Sequence, residues 1–347
     1  MFFAHHRSTT GQPHRGSVTL LCPHVLEPLP APSGQARAAP LLQRLLARAD
    51  PSPSVETDPL AALLRAAGCR WPMDAEVPSA AVALLGEGVA VAADTVWMHA
   101  DPVHLRPDRD QLRVYAGAQV APNPAEAAAL VAAFNQHFAE EGVALIAPVP
   151  ERWYLRLTPA RTLVTHPLYR VQGESMADYL PQGADARAWM RLLNETQMLF
   201  HAAAVNRQRE AAGRPLINGI WTWGTGILPQ IIADQIPEQL IGEGPLLAGL
   251  ATLTGCKLSR LAEWQAAIPT TGTHCIVWNQ HWHAWLARDV IAWDQATIEF
   301  EALIQQLWDA LRAGHLATVH LDPNCGSVFT ITRRQTWRVW RSLALGF

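Results

Sequence analysis

Lysine is almost missing from this chain: Lys257 is the single example among 347 residues. A P-loop needs a lysine that reaches the phosphates and a Schiff base needs an ε-amine, so neither chemistry has a place elsewhere in the sequence. Cysteine is sparse and scattered. Cys22, Cys69, Cys256, Cys275 and Cys325 never form a Cys-x-x-Cys pair, which argues against a disulfide framework or a structural zinc site and fits a reducing compartment. No stretch reaches the ~18 apolar residues that cross a membrane. Residues 1–10 are polar and His-rich, without the apolar segment of a signal peptide. The expectation is a cytoplasmic protein with no membrane segment. Excess positive charge is also lacking: a net charge of -3 and a pI near 6.5 argue against a general nucleic-acid-binding surface.

What the chain does have is material for a core. Hydrophobic residues make up 49% and charged residues 16% of the sequence, too apolar a balance for wholesale disorder. Residues 1–16 read as a disordered tail and 17–347 as a single α/β domain, with 80–180 a candidate subdomain. An apolar run at 18–21 predicts the first strand. A Pro-rich passage from Pro28 to Pro40 follows, then three helices, the clearest opening at the cap Asp58-Pro59 and closing at Gly68. Residues 96–105 and 112–115 predict a β-hairpin around a turn at Pro107, Asp108, Arg109 and Asp110.

A helix from Asn123-Pro124 to Gly142, strands at 143–147 and 153–157, and a helix over 185–204 come next. The last carries Trp189, Leu192, Leu193, Thr196, Leu199, Phe200 and Ala203 on one face. Strands at 219–223, 275–278, 317–321 and 328–332 then alternate with a strand–turn–helix over 240–254 and a helix over 296–313. Such alternation predicts a mostly parallel sheet covered by helices on both faces, with the hairpin attached.

The most informative stretch is 206–226: a polar helix end, a turn, a strand with Trp221 and Trp223 on one face, and a glycine-rich exit. Glycines at a strand's carboxyl end let a ligand approach the backbone, where open α/β sheets bind ligands. A tight turn beside a tryptophan-packed core gives the same spacing. Asn206, Arg209, Gly213, Pro215, Asn218, Trp221, Trp223, Gly224 and Gly226 together resemble the Asn-x-x-Arg…Gly-x-Pro-x-x-Asn-x-x-Trp-x-Trp-Gly-x-Gly signature. That signature is shared by archaeal-type cofactor-independent phosphoglycerate mutases and bacterial RpfE-type regulatory proteins. The RpfE-type resemblance is the closer. It takes in Ala100-Asp101-Pro102-Val103-His104-Leu105, Arg152-Trp153-Tyr154-Leu155, Asn194-Glu195-Thr196-Gln197-Met198 and the segment 337–341, covering most of 80–345 and little of 1–75.

The resemblance implies an alkaline-phosphatase/phosphoglycerate-mutase-like α/β fold. It also implies what should be present for catalysis: in the mutases, a serine nucleophile and two metal ions held by Asp and His, with an early Asp-Gly and a late Asp-His. This chain contains neither dipeptide, and its first strand runs into Cys22-Pro23-His24-Val25-Leu26, without a carboxylate. A two-metal site needs several hard ligands around the transferring group. The expectation is therefore a non-catalytic or regulatory protein of RpfE type, with no cofactor and no metal. It would bind a small anionic or phosphorylated ligand, or a protein partner, on a degenerate scaffold. One alternative is a phosphomutase or phosphoesterase acting on a small phosphorylated acid through a non-standard site. Another is a nucleic-acid-contacting regulator using the cations and indoles of residues 333–341.

Residues outside the signature complete the candidate set. On a strand, His104 and Arg106 share a face and offer an imidazole and a guanidinium fork to a carboxylate or phosphate. Asp101 lies in the same segment. On the 185–204 helix, Arg187, Arg191, Asn194 and His201 form a polar stripe with Glu195, which is either a solvent face or a site edge. His281-Trp282-His283 would aim two imidazoles the same way if extended. Gly242-Glu243-Gly244 precedes a helix that could hold an anion, and Gly173-Glu174-Ser175-Met176-Ala177 lacks the last glycine of a nucleophile elbow. The ligand-binding candidates are Asp101, His104, Arg106, Asn194, Glu195, Asn206, Asn218, Trp221, Trp223, Gly224 and Gly226, expected where the 221–226 loop meets Asp101, His104 and Arg106.

Overall fold

The computed structural model describes residues 15–29, 38–109 and 111–341. Most of the expected tail, part of the Pro-rich passage and Asp110 of the expected turn lie outside them. The chain gathers into two compact units, the first comprising the residues through Gly68, Ala233–Glu243 and those from Cys256 on, the second Cys69–Ile232 and Gly244–Gly255.

It enters the first unit with β1 (Gly16–Leu21), α1 (Pro40–Arg48), β2 (Asp50–Pro53) and α2 (Pro59–Ala66). The second unit then forms from β3 (Cys69–Arg70), α3 (Ser79–Gly86), β4 (Val96–Asp108), β5 (Gln111–Tyr115), α4 (Pro124–His137), β6 (Val143–Val149) and β7 (Arg152–Leu157). It continues with α5 (Leu168–Val171), α6 (Ala186–Ala202), α7 (Ala204–Ala211), β8 (Gly219–Gly226) and β9 (Gln230–Ile231). β10 (Gln239–Ile241) returns to the first unit, and α8 (Pro245–Thr254) belongs to the second. The first is completed by β11 (Lys257–Ser259), α9 (Leu261–Ala266), β12 (Thr273–Val277), α10 (Gln280–Ala287), α11 (Val290–Ala313), β13 (Leu316–Asp322) and β14 (Ser327–Thr332).

In the first unit a seven-stranded sheet runs β11-β10-β12-β1-β13-β14-β2. The five strands from β11 to β13 are parallel, as helical crossovers require, while β14 runs antiparallel to β13 and β2 antiparallel to β14. The change of direction follows from the tight Asp322-Pro323-Asn324 turn: Asp322 Oδ1 accepts from the Asn324 N–H at 2.9 Å, and Asn324 takes φ 57. Val18, Leu20, Val319 and Leu321 of the sheet pack against Leu42 and Leu45 of α1 and Leu303 and Leu307 of α11, while α2 packs on β1. The expected large, mainly parallel sheet flanked by helices is thus present.

Two details in this unit differ from the sequence reading. α11 begins six residues earlier than expected because the Asp289 carboxylate caps it, accepting from the Ala292 N–H at 3.0 Å. His281 and His283 are not extended but lie on α10. His281 is a core residue: its Nδ1 accepts from Trp278 Nε1 at 2.8 Å, Nε2 is 3.2 Å from Thr297 Oγ1, and burial pushes it down to about 4. The segment after β14 closes the unit's edge, with Arg312 4.8 Å over the Trp337 ring and Arg338 and Arg341 on Asp50 at 2.5 and 3.0 Å. Among the described residues no helix is long and apolar enough to cross a membrane.

The hairpin does not attach to the parallel sheet. In the second unit β4 is the centre of a separate antiparallel sheet, β5-β4-β7-β6, with β8 also paired to β4. It continues past Leu105 to Asp108. One of its faces, through Met98 and Ala100, joins Leu145, Leu155, Phe134, Trp189, Phe200 and Ile220 in a core. The other, through Val103 and Leu105, joins Val114, Val171 and Trp221. Both faces are apolar because both are covered, α6 contributing Trp189, Leu192, Thr196 and Phe200 at the expected helical spacing.

Candidate functional site

The signature residues are held by the fold before they could hold anything else. The Asn206 amide is buried, donating to the carbonyls of Phe200 (2.7 Å) and Ile217 (2.8 Å) and accepting from the Ile217 N–H at 2.8 Å. Asn218 takes the place of a strand partner, accepting from the Leu105 N–H at 2.7 Å and donating to its carbonyl at 2.9 Å. Arg209, 1% exposed, donates to the carbonyls of Pro215 (2.6 Å) and Val120 and to Glu126 Oε2 at 2.7 Å. These bonds satisfy the polar atoms that a buried loop must satisfy. They also fix the chain from Gly213 to Asn218.

That stretch forms one wall of an open cleft of about 520 Å³. The facing wall is the hairpin, with His104 and Arg106 projecting from one face of β4 and Tyr115 from β5. His104 Nδ1 lies 2.9 Å from the Leu216 carbonyl. A carbonyl only accepts, so Nδ1 carries the hydrogen and Nε2 is the free ring nitrogen. Burial lowers the His104 value, the Leu216 bond opposing and Arg106 and Arg209 reinforcing. Arg106 donates to the Tyr115 hydroxyl at 2.6 Å, its guanidinium 4.5 Å from the ring centre. Arg214, on the opposite wall, is tied to Glu126 at 2.7 Å and to the Ala121 carbonyl at 3.0 Å.

Asp101 does not join this cleft. Strand alternation puts it with Val103 and Leu105, on the face opposite His104 and Arg106. There it accepts from Trp223 Nε1 at 2.6 Å, and Trp223 stacks on His99 with centroids 4.0 Å apart. Burial pushes the Asp101 carboxyl up to about 7 against the Trp223 bond and nearby Arg152, and pushes His99 down to about 3. Tyr154 is raised by burial, then by Glu87 and Asp101. It donates to Glu87 Oε1 at 3.4 Å, and the Arg152 guanidinium holds Glu87 through 2.5 and 3.2 Å bonds. His99 Nε2 and Ser79 Oγ are buried without a hydrogen-bond partner among the described residues. Sequence reasoning missed this cluster, although His99 is two residues from Asp101, the spacing that puts both on one face.

Gly224 and Gly226 sit in close packing, and β8 is an antiparallel strand rather than the carboxyl end of an open parallel sheet. Gly224 has φ +67, and a Cβ there would lie 2.4 Å from Ser79 Oγ and 3.0 Å from His99 Cδ2; at Gly226 it would lie 2.6 Å from Pro78 Cβ. Gly213 has φ +66 with nothing within 4 Å. Gly224→Ala should therefore cost about 1–3 kcal/mol and Gly213→Ala only the backbone part, about 1 kcal/mol. Equal losses in chemical denaturation would show that packing at Gly224 contributes nothing.

The remaining candidates are dispersed. Asn194 and Trp221 border a small pocket of about 30 Å³ with Leu105, Met190 and Tyr179, and Trp221 Nε1 donates to the His166 carbonyl at 2.8 Å. Glu195 is 3.5 Å from Arg191 and 3.8 Å from His137 on the surface of α6.

Among the described residues no group of three or more His, Cys, Asp or Glu could hold a metal ion. At the carboxyl ends of β1 and β13 stand Cys22, its thiol raised well above its ordinary value by burial and then by Asp322 and Cys325, and Asp322, raised by burial. His24 is engaged by Glu27 at 2.9 Å and stacks on Trp285 at 4.3 Å. The buried thiol of Cys22, the carboxyl of Asp322 and the paired imidazole of His24 do not supply the several hard ligands of a two-metal phosphoryl-transfer site.

No family model matches the chain. It is 26% identical over 172 residues to the 2,3-bisphosphoglycerate-independent phosphoglycerate mutase of Methanosarcina acetivorans, a match covering 48% of this chain and 41% of that protein. The corresponding protein of Methanothrix thermoacetophila is 32% identical over 106 residues, 29% of this chain and 27% of that one. The chain thus spans less than half the length of these relatives. Among solved structures, a Pyrococcus horikoshii protein matches with a TM-score of 0.56 and 11% identity over 92% of this chain and 88% of that chain, which shows a shared fold. A cofactor-independent phosphoglycerate mutase from Thermoplasma acidophilum gives a TM-score of 0.42 and 15% identity, over 92% and 90%. In sequence, the chain is distantly similar to the cofactor-independent phosphoglycerate mutases.

Proposed function

We propose that this protein recognises a small phosphorylated acid on a phosphoglycerate-mutase-like scaffold, without the two-metal transfer chemistry that the mutase resemblance implies. The observation that carries the reading is a contrast within one chain. Mutase-like sequence accompanies Cys22 and Asp322 at the carboxyl ends of β1 and β13, where the thiol stays protonated and no group of three or more His, Cys, Asp or Glu among the described residues could hold a metal ion. Mutase similarity supports the ligand class; the donor set argues against the mechanism. A regulatory role of the RpfE type extends the reading and rests on the resemblance at Ala100–Leu105, Asn194–Met198 and the signature.

A second reading, a phosphomutase or phosphoesterase with a non-standard site, is favoured by the mutase matches themselves. One preparation separates the two. The purified protein is incubated with 3-phosphoglycerate or p-nitrophenyl phosphate, with and without Mn²⁺, while turnover, bound metal and thermal stability are measured. The expected result is no turnover, together with stabilisation by 3-phosphoglycerate of about 2.7 kcal/mol at a hundredfold excess over Kd. Metal-dependent turnover with stoichiometric bound metal would replace the binding reading by the enzymatic one.

A further inference from the structure

We propose that the open cleft between β4 and the Gly213–Leu216 wall is the ligand site, and that it takes a small hydroxylated anion: anionic oxygens on Arg106, a hydroxyl on His104 Nε2. The inference rests on the reading of a small phosphorylated acid as ligand. It adds where that ligand sits and which further group it carries.

Three observations lead to it. Both walls are set by buried polar bonds, Asn206, Arg209 and Asn218 tying one to α7 and to β4, so the site is formed in advance of any ligand. The volume of about 520 Å³ falls within the range of small-molecule sites. Most telling is the chemistry of the two side chains. His104 spends Nδ1–H on the Leu216 carbonyl, which leaves Nε2 an acceptor, and burial with the nearby Arg106 and Arg209 cations keeps the ring neutral. A fully ionised phosphate or carboxylate presents only acceptors and would meet Nε2 badly; a hydroxyl presents the hydrogen it lacks.

Arg106 is the complementary half. Tyr115 takes one of its N–H groups and lies against the guanidinium. The others have no protein partner among the described residues and suit a bidentate anion. Residues two apart on a strand start about 6.5 Å from each other, so a single inorganic anion does not bridge them, whereas a short acid with an anion at one end and a hydroxyl along its chain does. Arg214 adds a second guanidinium to the lining and Glu210 the one carboxylate.

Calorimetric titration of the intact protein tests this with three probes: 3-phosphoglycerate (phosphate, carboxylate and hydroxyl), phosphoglycolate (no hydroxyl) and glycerate (no phosphate). Wild type should prefer 3-phosphoglycerate over phosphoglycolate by at least about tenfold. Arg106→Gln should weaken every probe by about tenfold or more. His104→Asn keeps a donor for the Leu216 carbonyl and removes Nε2, so it should abolish the preference for the hydroxylated probe while leaving phosphoglycolate unchanged. Arg191→Gln, on the surface of α6, should change nothing. If 3-phosphoglycerate binds but neither cleft variant alters it, the site is overturned and the proposed function stands. If only glycerate binds, and Arg106→Gln weakens it, the site stands and the phosphorylated-acid reading falls. Binding of none of the three overturns both, and equal wild-type affinity for 3-phosphoglycerate and phosphoglycolate overturns the hydroxyl assignment.

Discussion

Asp101→Asn should stabilise the protein by about 4 kcal/mol at pH 8 relative to its effect at pH 3. The figure comes from the gap between the ordinary carboxyl value of 3.8 and the value of about 7 to which burial raises Asp101, at about 1.4 kcal/mol per pH unit. The sign follows from where the proton sits. Below 3.8 the carboxyl is protonated in both folded and unfolded chains and contributes no pH dependence. Between 3.8 and about 7 the unfolded chain gives up its proton while the folded chain keeps it, so stability falls as pH rises. Above about 7 both are ionised, and the cost of a buried carboxylate is present in full.

Asparagine imitates the protonated form: it keeps an acceptor for Trp223 Nε1, which donates to Asp101 Oδ2 at 2.6 Å, and it cannot ionise. The imidazoles lowered by desolvation act in the other direction. His99, His104, His281 and His320 are all lowered by burial, so they reduce stability as pH falls through their unfolded value near 6.5. The wild-type curve is therefore a sum of opposed slopes, and only the difference between variant and wild type isolates Asp101. Hydrogen-exchange protection of β4 and β8 in both proteins at pH 4, 6 and 8 would measure it. A difference that stays constant across those pH values would show that Asp101 ionises normally.

Much of the first unit was legible because its rules are local or nearly so. Strands at 18–21, 275–278 and 317–321 alternate with helices, which leaves the chain little choice but parallel crossovers, and the Asp322-Pro323-Asn324 turn announces the reversal into β14. The second sheet was not legible. Pro107 reads as the start of the turn that ends the first hairpin strand, yet β4 runs through it as it does through Pro102, pairing Pro102 with Ile220 and Pro107 with Leu112. The hairpin looked like an appendage when it was the centre of a sheet.

The candidate site divides in the same way. The shared face of His104 and Arg106 follows from strand periodicity alone, and the structure places both on one cleft wall. That same periodicity separates Asp101 from them, which adjacency in sequence obscured. For Asn206, Arg209 and Asn218 the sequence offers no means of choosing between recognition and scaffolding. An arginine that binds a ligand and one that binds three protein oxygens look alike until the fold brings Glu126, 83 positions away, to its guanidinium.

Arg209 supplies the second large effect, an expected loss of about 3–5 kcal/mol in Arg209→Ala. The side chain is buried, and burial pulls its value down without discharging it. Truncation would strand the Pro215 and Val120 carbonyls and leave Arg214 as the one guanidinium on Glu126, beside the Asn123 N–H. Each orphaned acceptor costs more than the bond it formerly made contributed. Arg214→Ala is the matched control. It removes a cation from the same carboxylate, but its side chain is 41% exposed, so water replaces much of what is lost and the cost should stay within about 1 kcal/mol. Because Arg209 fixes the Pro215 wall of the cleft while touching nothing inside it, the variant should also blunt the preference for 3-phosphoglycerate over phosphoglycolate at temperatures where it remains folded. Urea denaturation of the two single variants and the double variant checks the energetic claim. Similar losses in Arg209→Ala and Arg214→Ala would mean that Glu126 is held by two interchangeable surface partners, and that the signature arginine is not what holds the cleft wall.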